Sequence, residues 1–466
     1  MNALEHIELN IALQQTINSD MANHFSVVPK AINDAEAFFY FDQSRISELN
    51  SIKEELILIL NKNITLEPID SSVLKKALST YYRTNTDGSK LVSYSNDFLE
   101  ELIFEAKHIN ASDIHIEIYE DDARVRLRID GQLIEKNHIK KDSYNELINQ
   151  IKIKSNLDIT EKRLPQDGRI EYEDFDIRVS ILPTHHGEKV VMRILGRDAS
   201  HLNINQLGLE NDDLSRYLEA VRKSNGIVLI SGPTGSGKTT TLYGTLKYLN
   251  NIDRNIVTVE DPIEYTLKGI NQVQLKEDIG LTFTSALRSF LRQDPDIIML
   301  GEIRDAQTAQ MAIRASLTGH LVLSTIHTNS AVGTISRLID MGVPSFLLAE
   351  TMNISVAQRL LRTLCNDCKQ EQEFDPNDLP KTFELNREIK THYVAVGCHN
   401  CYHTGYKGRR AIYEILPMTL ETTNAIKNGT LEQSDFMNGQ KLSDKALDLF
   451  SNGLTSIDEI YSILIN

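Results

Sequence analysis

Apolar residues three and four positions apart mark the first stretch of the chain. Leu49 to Leu60 and Val73 to Tyr82 both carry this spacing, which predicts helices, so residues 1–82 read as a mostly helical N-terminal domain. The polar run Arg83 to Lys90 (RTNTDGSK) holds Asp-Gly and Gly-Ser and predicts a linker, placed at 83–92. Beyond it the period drops to two. Ala123, Val125, Leu127 and Ile129 alternate with Arg124, Arg126, Arg128 and Asp130, and Ile177, Val179 and Ile181 alternate with Arg178 and Ser180, the pattern of half-buried strands. With a helix over Tyr144 to Ile153 between them, residues 93–200 read as a small α+β domain whose exposed strand faces are rich in arginine.

After Leu207 the pattern changes again, to short apolar runs separated by helical stretches. Gly226–Ser231, Ile256–Val259, Ile297–Leu300 and Leu321–Ile326 are the clearest strands, and the alternation predicts a mainly parallel α/β sheet with crossover helices over residues 201–360. The last hundred residues read as helical, divided into an element at 361–415 and a tail at 416–466. No repeat of fixed period stands out, which excludes a solenoid.

Composition narrows the class. The 466 residues are 41% hydrophobic and 24% charged, as in ordinary globular proteins, and the length accommodates several domains. A net charge of -16 argues against broad attraction to nucleic acid. The densest apolar run, Leu56 to Leu60, is far too short to span a bilayer. Met1 to Asn10 carries Glu5 and Glu8 and lacks the basic and apolar regions of a secretory signal, so the expected compartment is the cytoplasm.

Chemistry appears where the first strand of the α/β region meets its helix. Gly232, Pro233, Thr234, Gly235, Ser236, Gly237, Lys238 and Thr239 fit G-x-x-x-x-G-K-[ST], and Thr240 leads into the helical run that follows. Such a loop lets backbone N–H groups close around phosphate oxygens, and the helix offers its positive end. Lys238 is suited to the β and γ phosphates of ATP, and the Thr239 hydroxyl to Mg²⁺. A plain Gly-rich turn explains neither residue.

The other strands of this region also end in polar residues: Glu260, Asp261 and Glu264 after one, Glu302 after another, His327 after a third. In open α/β sheets ligands bind beyond the carboxyl ends of strands, so these groups should meet in one crevice. Hydrolysis needs a water that is oriented and relieved of a proton; Glu264 and Glu302 are the candidates, and the residues alone do not rank them. His327 is the candidate to sense the γ phosphate. His320 lies at the other end of the same strand.

Taken together, SDIHIE at Ser112, RLPQDGRI at Arg163, DIRVSILP at Asp176, GEKVVMRIL at Gly187, the phosphate loop, TVEDPIEY at Thr258, LRQDPDIIMLGEIRD at Leu291 and TGHLVLSTIHTN at Thr318 resemble the GspE/PilB family. These are the ATPases of type II secretion and type IV pilus assembly. The resemblance runs from about Ser112 to Glu414. It implies a RecA-like ATPase domain preceded by a PAS-like small domain, with Glu264 as the catalytic glutamate and Glu302 as the Walker B acid. His320 then belongs to the family's His box, and Arg178 and Arg193 match its nucleotide-sensing arginines, as Arg169 does less closely. Arg288, Arg292 and Arg304 match further arginines around the site. An arginine carried on a separate domain would tie the charge of the γ oxygens to domain position.

The resemblance further implies a ring, a hexamer, that acts with an inner-membrane platform protein and associates peripherally with the inner membrane, its N-terminal region held by a cytoplasmic docking partner. TVEDPIEY and ASLTGHLVLS share features with secretion members, INQVQ and SALRSFLRQDPDIIM with pilus members. A DNA-uptake or DNA-translocating ATPase is the alternative; net acidity and the absence of aromatic-basic interleaving weigh against stable nucleic-acid binding. A non-enzymatic, ATP-gated scaffold is a third reading.

All four cysteines fall in two knuckles, Cys365-x-x-Cys368 and Cys398-x-x-Cys401. This pattern predicts a closed Zn²⁺ site with four thiolate ligands rather than disulfides, given a reducing compartment. His399 and His403 are nearby substitutes as ligands.

Overall fold

The structure is a computed structural model. It describes residues 7–465, without 8, 10–12, 14, 15, 18, 34, 61, 83–90, 93–96, 121, 197–201, 386 and 433–440. The linker expected at Arg83 to Lys90 lies outside the described residues.

The N-terminal region is not mostly helical. It folds around a three-stranded sheet in the order β1 (Val27–Ile32), β2 (Glu36–Asp42), β3 (Asn63–Ile69), with β1 antiparallel and β3 parallel to β2. The two helices expected from the spacing do form, at Leu49–Leu60 and Ser71–Tyr81. What the pattern concealed was β2, EAFFYFD: Ala37, Phe39, Tyr40 and Phe41 are all buried, so the run has no period of two to betray a strand. Leu56 and Leu74 of the two helices share its core.

The second sheet has seven strands in the order β4-β7-β6-β5-β10-β9-β8, with β4 at Leu91–Val92, β5 at Asp113–Ile118, β6 at Ala123–Ile129, β7 at Gln132–Ile139, β8 at Gln166–Glu171, β9 at Phe175–Thr184 and β10 at Gly187–Gly196. The alternation in the sequence reads out directly. Ala123, Val125 and Leu127 are buried against helices Phe98–His108 and Lys141–Lys154, and Arg124, Arg126 and Arg128 take the other face.

That other face is not a bare arginine surface. Glu117 of β5 accepts from Arg126 at 2.8 Å and from Arg124 at 3.1 Å, and Lys189 of β10 approaches it to 3.0 Å. Burial opposes the Glu117 charge, but these hydrogen bonds outweigh it and hold its pKa down to about 2. Much of the expected positive field is therefore spent inside the sheet.

The third sheet runs β13-β12-β14-β15-β11-β16-β19: β11 (Gly226–Ser231), β12 (Ile256–Glu260), β13 (Asn271–Gln274), β14 (Ile297–Leu300), β15 (Leu321–Ile326), β16 (Met352–Leu364) and β19 (Tyr406–Pro417). Every pairing is parallel except β16 with β19. Ile227 and Leu229 pack on one face of the sheet and Val228 and Ile230 on the other, which is why β11 reads as an unbroken apolar run.

The C-terminal hundred residues are not uniformly helical. β17 (Gln370–Glu373) and β18 (Thr391–Val394) form a small antiparallel pair, and β19 completes the main sheet; the α-helices among the described residues of this stretch begin at Leu420. The 360/361 boundary falls within β16. The run AIYEIL of β19 suits helix or strand equally by composition, and antiparallel pairing with β16 from Ile354 to Leu364 decides for strand.

Candidate nucleotide site and four-cysteine cluster

The carboxyl ends of β11, β12, β14 and β15 open on one crevice of about 460 Å³. Thr234, Gly235, Gly237, Lys238, Thr239, Thr240, Asp261, Glu264, Glu302 and His327 line it, so residues far apart in sequence converge as the strand-end rule requires. The loop before helix Lys238–Leu249 depends on its glycines. Gly237 has φ +87°, and a Cβ there would meet Gln358 Nε2 at 2.8 Å; at Gly232 a Cβ would meet the Gln358 carbonyl at 2.5 Å. Gln358 lies on β16, which thus forms the floor of the loop.

The loop fits a phosphate chain. Lys238 Nζ donates to the carbonyls of Gly232 at 2.8 Å and Pro233 at 3.0 Å, folded over the turn, and burial lowers its pKa. The hydroxyl of Ser236 is buried in the same turn with no partner among the described residues.

The two candidate acids differ in environment. Glu302 stands just past β14, where Ser324 and Thr325 of β15 donate to the carbonyls of Leu300 and Gly301 at 2.9 and 2.8 Å and hold the strand end in place. Its carboxylate meets Arg304 at 2.5 Å and His327 at 3.1 Å. Burial opposes its ionisation, yet the bonds from Arg304 and His327 prevail and lower its pKa. Glu264 shows the reverse: burial raises its pKa, and the positive charges of Arg178 and Arg193 offset this only in part.

Arg178 of β9 reaches across from the small domain and donates to the Ile263 carbonyl at 3.1 Å, one residue before Glu264. Arg193 of β10 is held by Asp113 at 2.9 Å and contributes to the field at Glu264. A second bridge joins the domains at the β6–β7 turn: Asp130 accepts from the Gly408 N–H at 2.7 Å and lies 3.7 Å from Arg409.

Other expected residues lie elsewhere. His320 precedes β15, at the end remote from the crevice, where Nδ1 lies 2.9 Å from the Ala315 carbonyl and 3.2 Å from the Thr318 hydroxyl; the six-residue strand puts about 20 Å between it and His327. Arg169 pairs with Asp176 of the neighbouring strand, and Arg292 turns back on the Arg288 carbonyl at 2.8 Å. Arg288 is exposed on its helix, outside the residues that line the crevice; of these arginines only Arg304 touches the acids. Arg409, which also lines the crevice, was not anticipated: no phosphate-loop pattern surrounds it, and it arrives only because β19 folds back along β16.

The cysteines meet. Cys365 to Cys398 is 3.9 Å between sulfurs, Cys368 to Cys401 3.7 Å and Cys398 to Cys401 3.7 Å. A tetrahedron with zinc–sulfur arms of about 2.3 Å has edges of about 3.8 Å, so the donor set fits zinc in type and spacing. The N–H groups of Cys398 and Gly405 donate to Cys401 Sγ at 3.1 and 3.3 Å. Among the described residues no histidine joins the cluster. Cys365 follows directly on β16 and Cys401 closely precedes β19, so the cluster closes the long connection between two paired strands.

Comparison with known proteins extends the geometry. The family described as Type II/IV secretion system protein matches residues 88–462. The chain belongs to this family. Within it, the type IV pilus assembly ATPase PilB of Myxococcus xanthus is 46% identical over 379 residues, covering 77% of this chain and 66% of its own length. Type II secretion system protein E of Pseudomonas aeruginosa is 44% identical over 385 residues, covering 81% of this chain and 76% of its own.

Among solved structures, the pilus retraction motor PilT with bound ADP aligns at a TM-score of 0.55 and 27% identity, over 78% of this chain and 95% of that one. The Legionella pneumophila ATPase DotB aligns at 0.61 and 23% identity, over 80% and 96%, a likeness of fold. As a member of this secretion family, sharing the fold of these ATPases, the chain is an ATPase. The relatives named here are secretion and pilus proteins, and the DNA-uptake alternative finds no support in them. Among the described residues no helix is long and apolar enough to cross a membrane.

Proposed function

We propose that this ATPase works as the motor of a pilus-like fibre, driving assembly of pseudopili for secretion or of type IV pili. The observation that carries this reading is the contact of Arg178 with the loop that bears Glu264: a side chain of one domain rests on the catalytic loop of the next, so hydrolysis and domain position are mechanically joined. In this reading Lys238 and the backbone of Gly232 to Thr240 bind the phosphates. The Thr239 hydroxyl and Glu302 are the oxygen donors for Mg²⁺, which would neutralise phosphate charge when bound.

Glu264 takes the proton of the attacking water. Its raised pKa suits a base, whereas the ion-paired Glu302 suits a permanently ionised group, which supports the roles that the family resemblance implies. His327 holds Glu302 and senses the γ phosphate; His320, remote from the crevice of its own chain, sets the start of β15. Arg178 and Arg193 sense the nucleotide and transmit its state to the small domain.

The assembled form is a ring, a hexamer, in which the small domain swings against the neighbouring subunit's nucleotide domain. It acts in the cytoplasm, held peripherally at the inner membrane by a platform protein and, through residues 1–82, by a docking partner. The four cysteines would hold zinc, which would fix the β16–β19 connection when bound.

Arg193→Ala tests the coupling. In the assembled enzyme turnover should fall about tenfold or more, as for loss of a charge-stabilising donor, with ATP still bound; turnover at the wild-type rate would remove the arginine from the mechanism. The DNA reading makes a separate prediction: no binding to duplex or single-stranded DNA at low salt, measured by fluorescence anisotropy.

A further inference from the structure

Of three further residues, Glu260 lines the crevice and Tyr243 and Gln272 do not, and none has a part in the scheme above. Tyr243 is fully buried on the helix that starts at Lys238, and its hydroxyl donates to the carboxylate of Glu260, itself only 3% exposed. The same hydroxyl accepts the backbone N–H of Glu264 at 3.2 Å, and the N–H of Tyr265 approaches it to 3.5 Å. Gln272, in the INQVQ segment on β13, donates to Glu260 at 3.1 Å and to the Tyr265 carbonyl at 2.9 Å, and accepts from the Leu267 N–H at 2.8 Å. Thr258 supplies a third donor to Glu260, at 2.6 Å.

We propose that Tyr243, Glu260 and Gln272 form a cradle that positions Glu264 for proton abstraction. The proposal rests on Glu264 being the base. The loop from Asp261 to Leu267 is fixed at the Glu264 N–H by the phosphate-loop helix and at the Tyr265 carbonyl and Leu267 N–H by β13, and both fixing side chains are tied to Glu260 of β12. Tyr243 is five residues from Lys238 on a single rigid helix, so the element that grips the phosphates also sets the place of the base. Burial keeps the proton on Tyr243, leaving its hydroxyl able to donate to Glu260 and accept from Glu264 at once. A buried carboxylate satisfied by three donors is costly to disturb from any side.

These are positioning residues: Tyr243 and Gln272 do not line the crevice, and the Glu260 carboxylate is taken up by Tyr243, Thr258 and Gln272. Tyr243→Phe removes one oxygen and retains the ring, which stacks edge-on against Tyr265 at 5.6 Å. It should lower kcat for ATP by about tenfold or more, as for a misplaced reacting group, and leave KM unchanged. A loosened loop exposes Glu264 to water, so the acid limb of the kcat profile should move to lower pH. The groups that act on Glu264 are Arg178 and Arg193 of the small domain and Glu260 beside it, and Tyr243→Phe removes none of these side chains.

Gln272→Met breaks the cradle from the other side and should give the same signature; it decides the matter should Tyr243→Phe fail to fold. In a Glu264→Gln background neither change should lower residual turnover further. Folded variants with wild-type kcat, or equal losses with and without Glu264, would overturn the cradle. Full activity of Glu264→Gln alone would instead remove the base on which it acts.

Discussion

Glu264→Gln is expected to leave ATP bound and unhydrolysed, with kcat reduced about 10²- to 10⁴-fold, the range for loss of a general base. The substitution keeps the volume of the side chain and its contact with the loop, so nucleotide affinity measured with a fluorescent ATP analogue should not change. Glu302→Gln should differ in kind. It abandons Arg304 and His327, which face that carboxylate at 2.5 and 3.1 Å, and removes an oxygen donor for Mg²⁺, so apparent Mg²⁺ affinity should weaken along with kcat. Equal behaviour of the two variants in a Mg²⁺ titration would undo the division of labour.

The pH dependence follows from the same contrast. A carboxylate whose pKa is raised in the folded enzyme gains its proton at higher pH than an ordinary one as the solution is acidified. Base catalysis by Glu264 is therefore fully present above its raised pKa and lost as pH falls through it. Glu302 has a lowered pKa and remains ionised through that window, so the acid limb of kcat should report one group. An acid limb below the ordinary glutamate range would contradict burial as the source of the shift.

The second large effect is expected at the four-cysteine cluster. Cys401 lies nearest the geometric demands of the site: its sulfur faces Cys368 and Cys398, both at 3.7 Å, and accepts two backbone N–H groups. Cys401→Ser should abolish zinc retention and destabilise the C-terminal part of the main sheet by about 4 kcal/mol, in the range for loss of a metal site. At about 2–4 °C per kcal/mol for a domain of this size, the melting midpoint should drop by about 8–16 °C. A strong chelator should reproduce the drop in the wild-type protein and add nothing in the variant. Metal analysis that finds no zinc in purified protein, with melting indifferent to chelator, would end the assignment.

Loss of the cluster should also be felt at the nucleotide site. β19 carries Arg409 into the crevice and Gly408 to Asp130 of the small domain, and its alignment with β16 is closed at that end by Cys365 and Cys401. Metal removal should thus loosen both the floor of the phosphate loop, through Gln358, and one of the bridges between domains.

The sequence by itself determined the elements whose signals are local. The phosphate loop was legible because Gly237 and Gly232 tolerate no side chain beside Gln358 and Lys238 must follow at a set distance. The four strands that end in the crevice were legible because both their faces are buried, and β6 because only one is. The knuckle spacing announced the four cysteines that the fold brings together.

Tertiary structure alone decided the rest. β2 and β19 are strands because partners offer them edges, and nothing in EAFFYFD or AIYEIL requires it. The contrast between the buried Glu264 and the ion-paired Glu302 came from burial and from arginines more than sixty residues away in the chain, and the neutralised face of the small domain from Glu117 on an adjoining strand. Backbone conformation is governed by neighbours within a few residues, and such neighbours are written in sequence. Charge, burial and hydrogen-bond partnership are set by whatever the fold brings alongside, and for this protein that includes the contact of Arg178 with the acid loop on which the proposed motor depends.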